Sequence, residues 1–131
     1  MKRRASGQFE VVLKPQPGDA AREGAGVARH TIDKQYRGDI DARSQGQMLS
    51  AETAVPGSAA YVAIEWVTGA LHGRRGTFAL QHSGTLNRGA VALSVTVVPD
   101  SGTGELTGLR GHLDILIEGG THSYVFDYEL G

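Results

Sequence analysis

Hydrophobic and polar residues alternate with a period of two along most of this chain, a pattern typical of β-strands that bury one face. No run of ten or more residues carries apolar side chains at helical spacing, so we predict an all-β protein. Eight segments show the alternation, and glycine-containing turns separate most of them. The predicted strands are Gln8–Leu13, Val27–Tyr36, Gly38–Leu49, Ala59–Val67, Thr77–Leu86, Ala90–Val98, Glu105–Ile117 and His122–Leu130.

The short turns between these segments predict that successive strands pair in antiparallel order. An open sheet of eight strands would leave two unpaired edges that favour aggregation, and closure into a barrel removes both. We therefore predict one domain over residues 1–131, an eight-stranded antiparallel up-and-down barrel. The segment Lys14–Gly26 holds two prolines and three glycines, which predicts a flexible loop between the first two strands.

Net charge, cysteine content and the length of the apolar runs argue against several classes of protein. The 13 Lys and Arg residues against 14 Asp and Glu residues give a net charge of −1, so no strong field attracts nucleic acid or anionic lipid. There is no cysteine, which excludes disulfides, thiolate nucleophiles and cysteine-ligated zinc. The longest apolar run, Ala59–Ile64, is far shorter than the ~20 residues of a membrane-spanning helix. We expect a soluble, cytoplasmic protein.

Two polar residues interrupt largely apolar strand faces. Glu65 alternates with Tyr61 on the fourth predicted strand, and His82 alternates with Phe78 and Leu80 on the fifth. A two- or four-residue turn between these strands places Glu65 and His82 on the same face, and in one such register they are directly opposed. A three-residue turn would separate them across the sheet.

On an inward face, burial raises the pKa of a glutamate and pairing with an imidazole lowers it, so the carboxyl group would exchange protons near neutral pH. This predicts Glu65 as a catalytic acid or base and His82 as its partner. The alternative is a structural pair, either buried or facing solvent, because ion pairs without catalytic function also have shifted pKa values.

Aromatic residues recur on the last predicted strand, where Tyr124, Phe126 and Tyr128 share one face. Core packing is one interpretation. The other is a cavity wall whose two phenols orient an apolar ligand. The predicted ligand-binding set is Tyr61, Phe78, Leu80, Tyr124, Phe126 and Tyr128.

Trp66 follows Glu65 and should point to the opposite face, away from the interior of a barrel. An exposed tryptophan is typical of a subunit interface, which predicts a homo-oligomer. The alternative is that the Lys14–Gly26 loop covers the indole ring.

Other catalytic classes have no support in the sequence. The five histidines do not form an H-E-x-x-H motif or another recognisable metal-ligand spacing, so no metal is expected. No serine lies in a G-x-S-x-G elbow, which argues against a hydrolase triad.

Two segments carry a family resemblance: GRRGTFALQHSGT at residues 73–85 and VVPDSGTGELTGLRG at residues 97–111. Over nearly its full length the chain resembles domain-of-unknown-function family 3224, small bacterial proteins assigned an allene-oxide-cyclase-like barrel. The second segment is also similar to the G-T-G segment of allene oxide cyclases and plant dirigent proteins. Trp66 stands where the family is expected to carry an arginine.

The resemblance implies a cavity inside the barrel, no metal or organic cofactor, and the steering of a reactive apolar intermediate through cyclisation or coupling. The first hypothesis is therefore a cofactor-independent isomerase or cyclase acting on an apolar polyketide-like or lipid-like intermediate. The second is a lipocalin-like binding protein that holds an apolar small molecule without transforming it. The third is a barrel filled by its own side chains, acting as a structural module.

Overall fold

A computed structural model describes residues 2–17 and 27–131, which form a closed barrel of eight antiparallel strands. Each strand pairs with its neighbours in sequence, and the last pairs with the first. Within the described ranges there is no α-helix and one 3₁₀ turn, Gly104–Leu106. These features confirm the predicted all-β barrel. The strands are β1 (Lys2–Gln16), β2 (Ala28–Gly38), β3 (Ile40–Glu52), β4 (Ala59–Leu71), β5 (Arg74–Asn87), β6 (Ala90–Val97), β7 (Leu109–Glu118) and β8 (Thr121–Leu130).

Strand β1 is much longer than its predicted range, Gln8–Leu13. Its first part pairs with β8 from Lys2 to Phe9, and its second part pairs with β2 from Gly7 to Gln16. Closing the barrel requires this length, because β1 must pair with two strands that are displaced from each other along the barrel axis. The predicted Lys14–Gly26 loop is therefore strand as far as Gln16, and residues 18–26 lie outside the described part of the chain.

Strand β7 begins later than predicted. The sequence pattern placed its start at Glu105, but Gly104–Leu106 forms the 3₁₀ turn and the strand starts at Leu109. The turn buries the Leu106 side chain within the hydrophobic core. An apolar residue that the alternation assigned to a strand thus belongs to the connection that packs against one end of the barrel.

Side chains fill one half of the barrel, near the β2–β3 and β4–β5 turns. Phe78 and Phe126 stack there with ring centroids 6.0 Å apart. The Tyr124 hydroxyl accepts a hydrogen bond from the Ile40 backbone N–H and donates to the Arg37 carbonyl, which fixes the β2–β3 turn to β8. The other half of the barrel, toward the Arg88–Gly89 and Gly119–Gly120 turns, is open inside.

Pairing around the barrel is uneven. Strands β4 and β5 pair along 13 positions, whereas β6 and β7 pair at Thr96 and His112 alone. We call this weakly paired boundary the β6–β7 seam.

In the described part of the chain, no helix is long and apolar enough to cross a membrane.

Candidate functional site

The open half of the barrel encloses a cavity of about 540 Å³. This volume lies within the ~300–1,000 Å³ typical of small-molecule sites. The wall is mostly aliphatic and aromatic, with a small number of polar groups. Its apolar side chains include Phe9, Val11, Leu13, Ile32, Met48, Leu86, Val91, Leu93, Ile115 and Ile117.

A buried polar cluster lies at the bottom of this cavity, centred on the Glu65 carboxylate. One carboxylate oxygen, Oε2, accepts hydrogen bonds from Lys34 Nζ at 2.7 Å and His82 Nε2 at 2.6 Å. The other, Oε1, accepts from Ser44 Oγ at 2.8 Å and from the Tyr36 hydroxyl. We call these five residues the Glu65 cluster. Lys34 and His82 also line the cavity, whereas Glu65 lies behind them with no exposed surface.

The cluster is assembled from the inward faces of four consecutive strands. Lys34 and Tyr36 come from β2, Ser44 from β3, Glu65 from β4 and His82 from β5. The residue paired with Glu65 on β3 is Gly46, and a Cβ atom there would lie 2.1 Å from the Ile64 carbonyl oxygen. Only glycine fits at this position beside the cluster.

The β4–β5 turn decides how Glu65 and His82 meet. It is the two-residue turn His72–Gly73, and both residues have positive φ, as hairpin turns of type I′ require. In this register His82 pairs with Ala63 and Glu65 pairs with Leu80. Glu65 and His82 therefore share the inward face, as predicted, and meet diagonally rather than directly opposite.

Glu65 is ionised at neutral pH. Burial alone would raise its pKa, but the hydrogen bond from His82 and the positive charge of Lys34 outweigh burial and lower the pKa to about 2. The pKa of Glu65 therefore does not lie near neutral pH as expected from the sequence, because the charge of Lys34 adds to the effect of His82. Burial and the nearby Glu65 charge raise the pKa of Tyr36 well above its usual value, so its phenol remains a hydrogen-bond donor.

The ionised carboxylate also fixes the protonation pattern of His82. Because Glu65 Oε2 only accepts hydrogen bonds, His82 Nε2 carries the proton that it donates. The second ring nitrogen, Nδ1, is then a free acceptor when the ring is neutral, because the hydrogen bond of Nε2 to Glu65 is the only one that the His82 ring makes among the described residues. His82 thus offers a proton acceptor on the wall of an apolar cavity.

The residues predicted to bind ligand divide between the two halves of the barrel. Tyr61 lines the cavity, and its ring packs over Gly84, where a Cβ atom would lie 2.5 Å from a ring carbon. The others are buried in the filled half, away from the cavity wall, as the core-packing interpretation anticipated for the β8 aromatics. They are Phe78, Leu80, Tyr124, Phe126 and Tyr128.

Sequence reasoning did not single out Lys34 or Ser44. Lys34 lies between Ile32 and Tyr36 on the inward face of β2, with its ammonium group 4.8 Å from the centre of the Phe9 ring. A lysine that interrupts an apolar face at strand spacing is the same signal that identified Glu65. Serine gives no such signal, because it is common on both faces of strands.

A second group of ionisable side chains lies on the outer surface of β7 and β8. Ligand atoms of His112, Asp114 and Asp127 all lie within 4.8 Å of one another. Asp127 already forms an ion pair with Arg4 at 2.7 Å. Exposed groups of this kind are common on protein surfaces, and nothing else at this position indicates a metal ion.

Comparisons with known proteins agree with the fold. A family model described as "Protein of unknown function (DUF3224)" matches residues 5–128. The chain is similar to a crystal structure of a protein with unknown function from the DUF3224 family of Shewanella oneidensis MR-1. The two are 48% identical over 100% of this chain and 98% of that chain, with a TM-score of 0.95. The comparison with curated proteins gives no match.

Proposed function

The chain belongs to the DUF3224 family of proteins of unknown function, and we propose that its barrel is a cofactor-independent isomerase or cyclase acting on an apolar ligand held in the cavity. One observation carries the proposal. His82 lies on the wall of an apolar cavity with Nδ1 free, while an ionised, buried carboxylate holds Nε2. A carboxylate that orients an imidazole in this way prepares it to accept a proton.

The proposed reaction begins with proton transfer from a ligand carbon next to a carbonyl group to His82 Nδ1. In an isomerisation, the imidazolium returns this proton to a different atom of the ligand. In a cyclisation, the carbanion attacks a second carbonyl carbon of the same ligand, and the resulting alkoxide takes the proton. The ligand is neither oxidised nor reduced, and it forms no covalent bond to the protein.

The other members of the Glu65 cluster support this transfer. Glu65 is a positioning residue, because it holds the tautomer of His82 and stabilises the imidazolium. The Lys34 ammonium group lies at the same end of the cavity and can donate a hydrogen bond to the ligand oxygen, while the new imidazolium balances the negative charge that develops there. The apolar wall keeps competing water away from this charge.

A second function, binding without catalysis, has its own supporting observation. Most of the cavity wall is hydrocarbon, and an apolar wall of this kind needs no chemistry to retain an apolar molecule. This is the lipocalin-like alternative of the sequence analysis. The two functions differ in whether the ligand is changed.

The test is deuterium uptake from D₂O into the α-carbons of a panel of apolar ketones and diketones, followed by ¹H NMR. We expect the wild-type protein to accelerate exchange on at least one compound and His82→Gln to reduce that rate by ~100-fold or more, the usual contribution of a general base. His112→Gln, which changes an exposed histidine on the outer surface, is the matched control and should behave as wild type.

The outcomes separate the two functions. Binding of panel members without any acceleration of exchange would reject the catalytic proposal and leave the binding function. Full exchange activity in His82→Gln would show that another group removes the proton.

A further inference from the structure

The net charge of the Glu65 cluster constrains the kind of ligand that the cavity can bind. Glu65 and Lys34 form an ion pair with Oε2 and Nζ 2.7 Å apart, and the exposed fractions of their side chains are 0% and 6%. The remaining partners of Glu65 are two hydroxyl groups and an imidazole. With His82 neutral, the buried cluster has no net charge.

We infer that the ligand is uncharged where it meets Lys34 and His82, as a ketone, aldehyde or alcohol is, and that a carboxylate of the fatty-acid type is disfavoured. The inference rests on the proposed function for the position of the ligand, although it does not require that the ligand be transformed.

A carboxylate placed against the cluster would bring a second negative charge to a site whose buried cation is already neutralised. Such a charge loses its hydration and gains no partner of its own, which is costly in a low-dielectric interior. A carbonyl or hydroxyl oxygen needs only a hydrogen bond, and the Lys34 ammonium, which already donates to Glu65 and Tyr36, has a third donor position. The cluster therefore favours neutral oxygen groups.

The rest of the wall offers an anion no better position. Among the described side chains that line the cavity, Lys34 is the only lysine or arginine. The exposed end of the cavity carries Glu52, which repels a carboxylate directed outward. An anionic ligand thus finds no lysine or arginine free of Glu65 in either orientation, and the imidazoles of His30 and His122, which also line the wall, offer hydrogen bonds but no permanent charge.

The proposed proton transfer is compatible with this balance. When His82 takes a proton, the ligand gains one negative charge as the imidazole gains one positive charge, so the net charge of the site stays at zero. The same electrostatics that disfavours an anionic ligand therefore tolerates the anionic intermediate formed beside His82.

The experiment compares two probes of equal length, 2-decanone and decanoate, by calorimetric titration of the wild-type protein at pH 8, where an ordinary imidazole is uncharged. We expect 2-decanone to bind at least about tenfold more tightly. In Glu65→Gln the Lys34 charge loses its partner, so the preference should shift toward decanoate. Glu10→Gln is the matched control, because it removes an exposed carboxylate of the outer surface that does not line the cavity, and the preference for 2-decanone should persist.

Equal or tighter binding of decanoate to wild type would overturn the inference, and so would failure of both probes to bind. The wild-type comparison decides the matter even if Glu65→Gln does not fold. Preference for 2-decanone with no deuterium exchange on any ketone would support the inference and reject the catalytic proposal, so the two failures are distinguishable.

Discussion

The Glu65 carboxylate makes four hydrogen bonds to side chains from β2, β3 and β5. Each partner satisfies part of a charge that would otherwise be very costly to bury. Removing Glu65 alone leaves the Lys34 ammonium buried without a counterion, whereas replacing both residues by neutral ones removes both charges. A buried pair of this kind is best studied with both partners changed together.

The pKa of Glu65 predicts how stability depends on pH. Because its folded-state pKa is lowered to about 2, Glu65 stabilises the folded protein above its unfolded-state pKa, and this contribution is lost as pH falls from ~4.5 toward 2. We expect the free energy of unfolding of wild type to fall more steeply over this window than that of Glu65→Gln/Lys34→Met. Urea unfolding at pH 6, 4 and 3 measures both slopes.

The comparison with the double variant isolates the cluster from other carboxylates. The Arg4 hydrogen bond lowers the pKa of Asp127, which lies on the surface and is present in both proteins. Its contribution cancels in the difference between the two slopes. Parallel pH profiles for the two proteins would show that Glu65 is not held ionised in the folded state.

At the scale of the strand, period-two alternation predicted all eight strands, because each buries one face. The alternation also predicted that Glu65 and His82 lie on the same face of the sheet, since a two-residue and a four-residue turn both put them there. That Lys34 and Ser44 lie beside Glu65 was not predictable in this way. Their proximity to Glu65 depends on the registers of β2–β3 and β3–β4 together, and no local pattern in the sequence fixes both.

Strand ends were predicted less well than strand faces, for a related reason. The residues Lys2–Gly7 show little apolar alternation, yet they are strand because β8 supplies their pairing partners. The segment from Gly104 to Leu106 contains an apolar residue that the core takes up through a 3₁₀ turn. Both cases depend on contacts between residues far apart in sequence.

The β6–β7 seam gives a prediction for hydrogen exchange. Strand β6 pairs with β5 at eight positions but with β7 only through Thr96 and His112. In an antiparallel strand, successive amides point to opposite neighbours. Along residues 113–118 of β7 we therefore expect alternating protection, with the amides directed to β8 exchanging slowly and those directed to the seam exchanging fast.

Amide exchange followed by NMR tests the seam residue by residue. The internal control is β4, which is paired along 13 positions with both β3 and β5 and should show continuous protection. Uniformly slow exchange along β7 would mean that the ladder to β6 is complete in solution.

For the molecule as a whole, the two halves of the barrel have different roles. The filled half, with its stacked aromatic rings and the Tyr124 hydroxyl hydrogen-bonded to the β2–β3 turn, forms a closely packed base. The Glu65 cluster lies at the boundary between this base and the cavity. At this boundary the packed half holds the side chains of the cluster in place, and the cavity leaves space for a ligand beside them. Acid–base catalysis needs both.

Exposed apolar side chains on the outer face of β4 suggest where the predicted homo-oligomer would form its interface. Val62, Ile64 and Trp66 form an outward stripe along β4, with exposed fractions of 52%, 46% and 52%. Their neighbours on β3 and β5 are uncharged, including Gln47 and Gln81 on either side of Ile64. A charge-free centre with an exposed tryptophan is typical of an interface, and a two-fold axis would place this stripe against its copy.

We therefore expect wild type to sediment as a dimer or larger assembly at micromolar concentration, and Ile64→Lys to shift it toward monomer, because the new charge would be buried against its own copy. Leu116→Lys is the matched control, since Leu116 is equally exposed on the outer face of β7 but lies away from the stripe. A monomeric wild type would reject the assembly and leave the indole exposed or covered from within the chain. Dissociation by Leu116→Lys instead of Ile64→Lys would place the interface on β7.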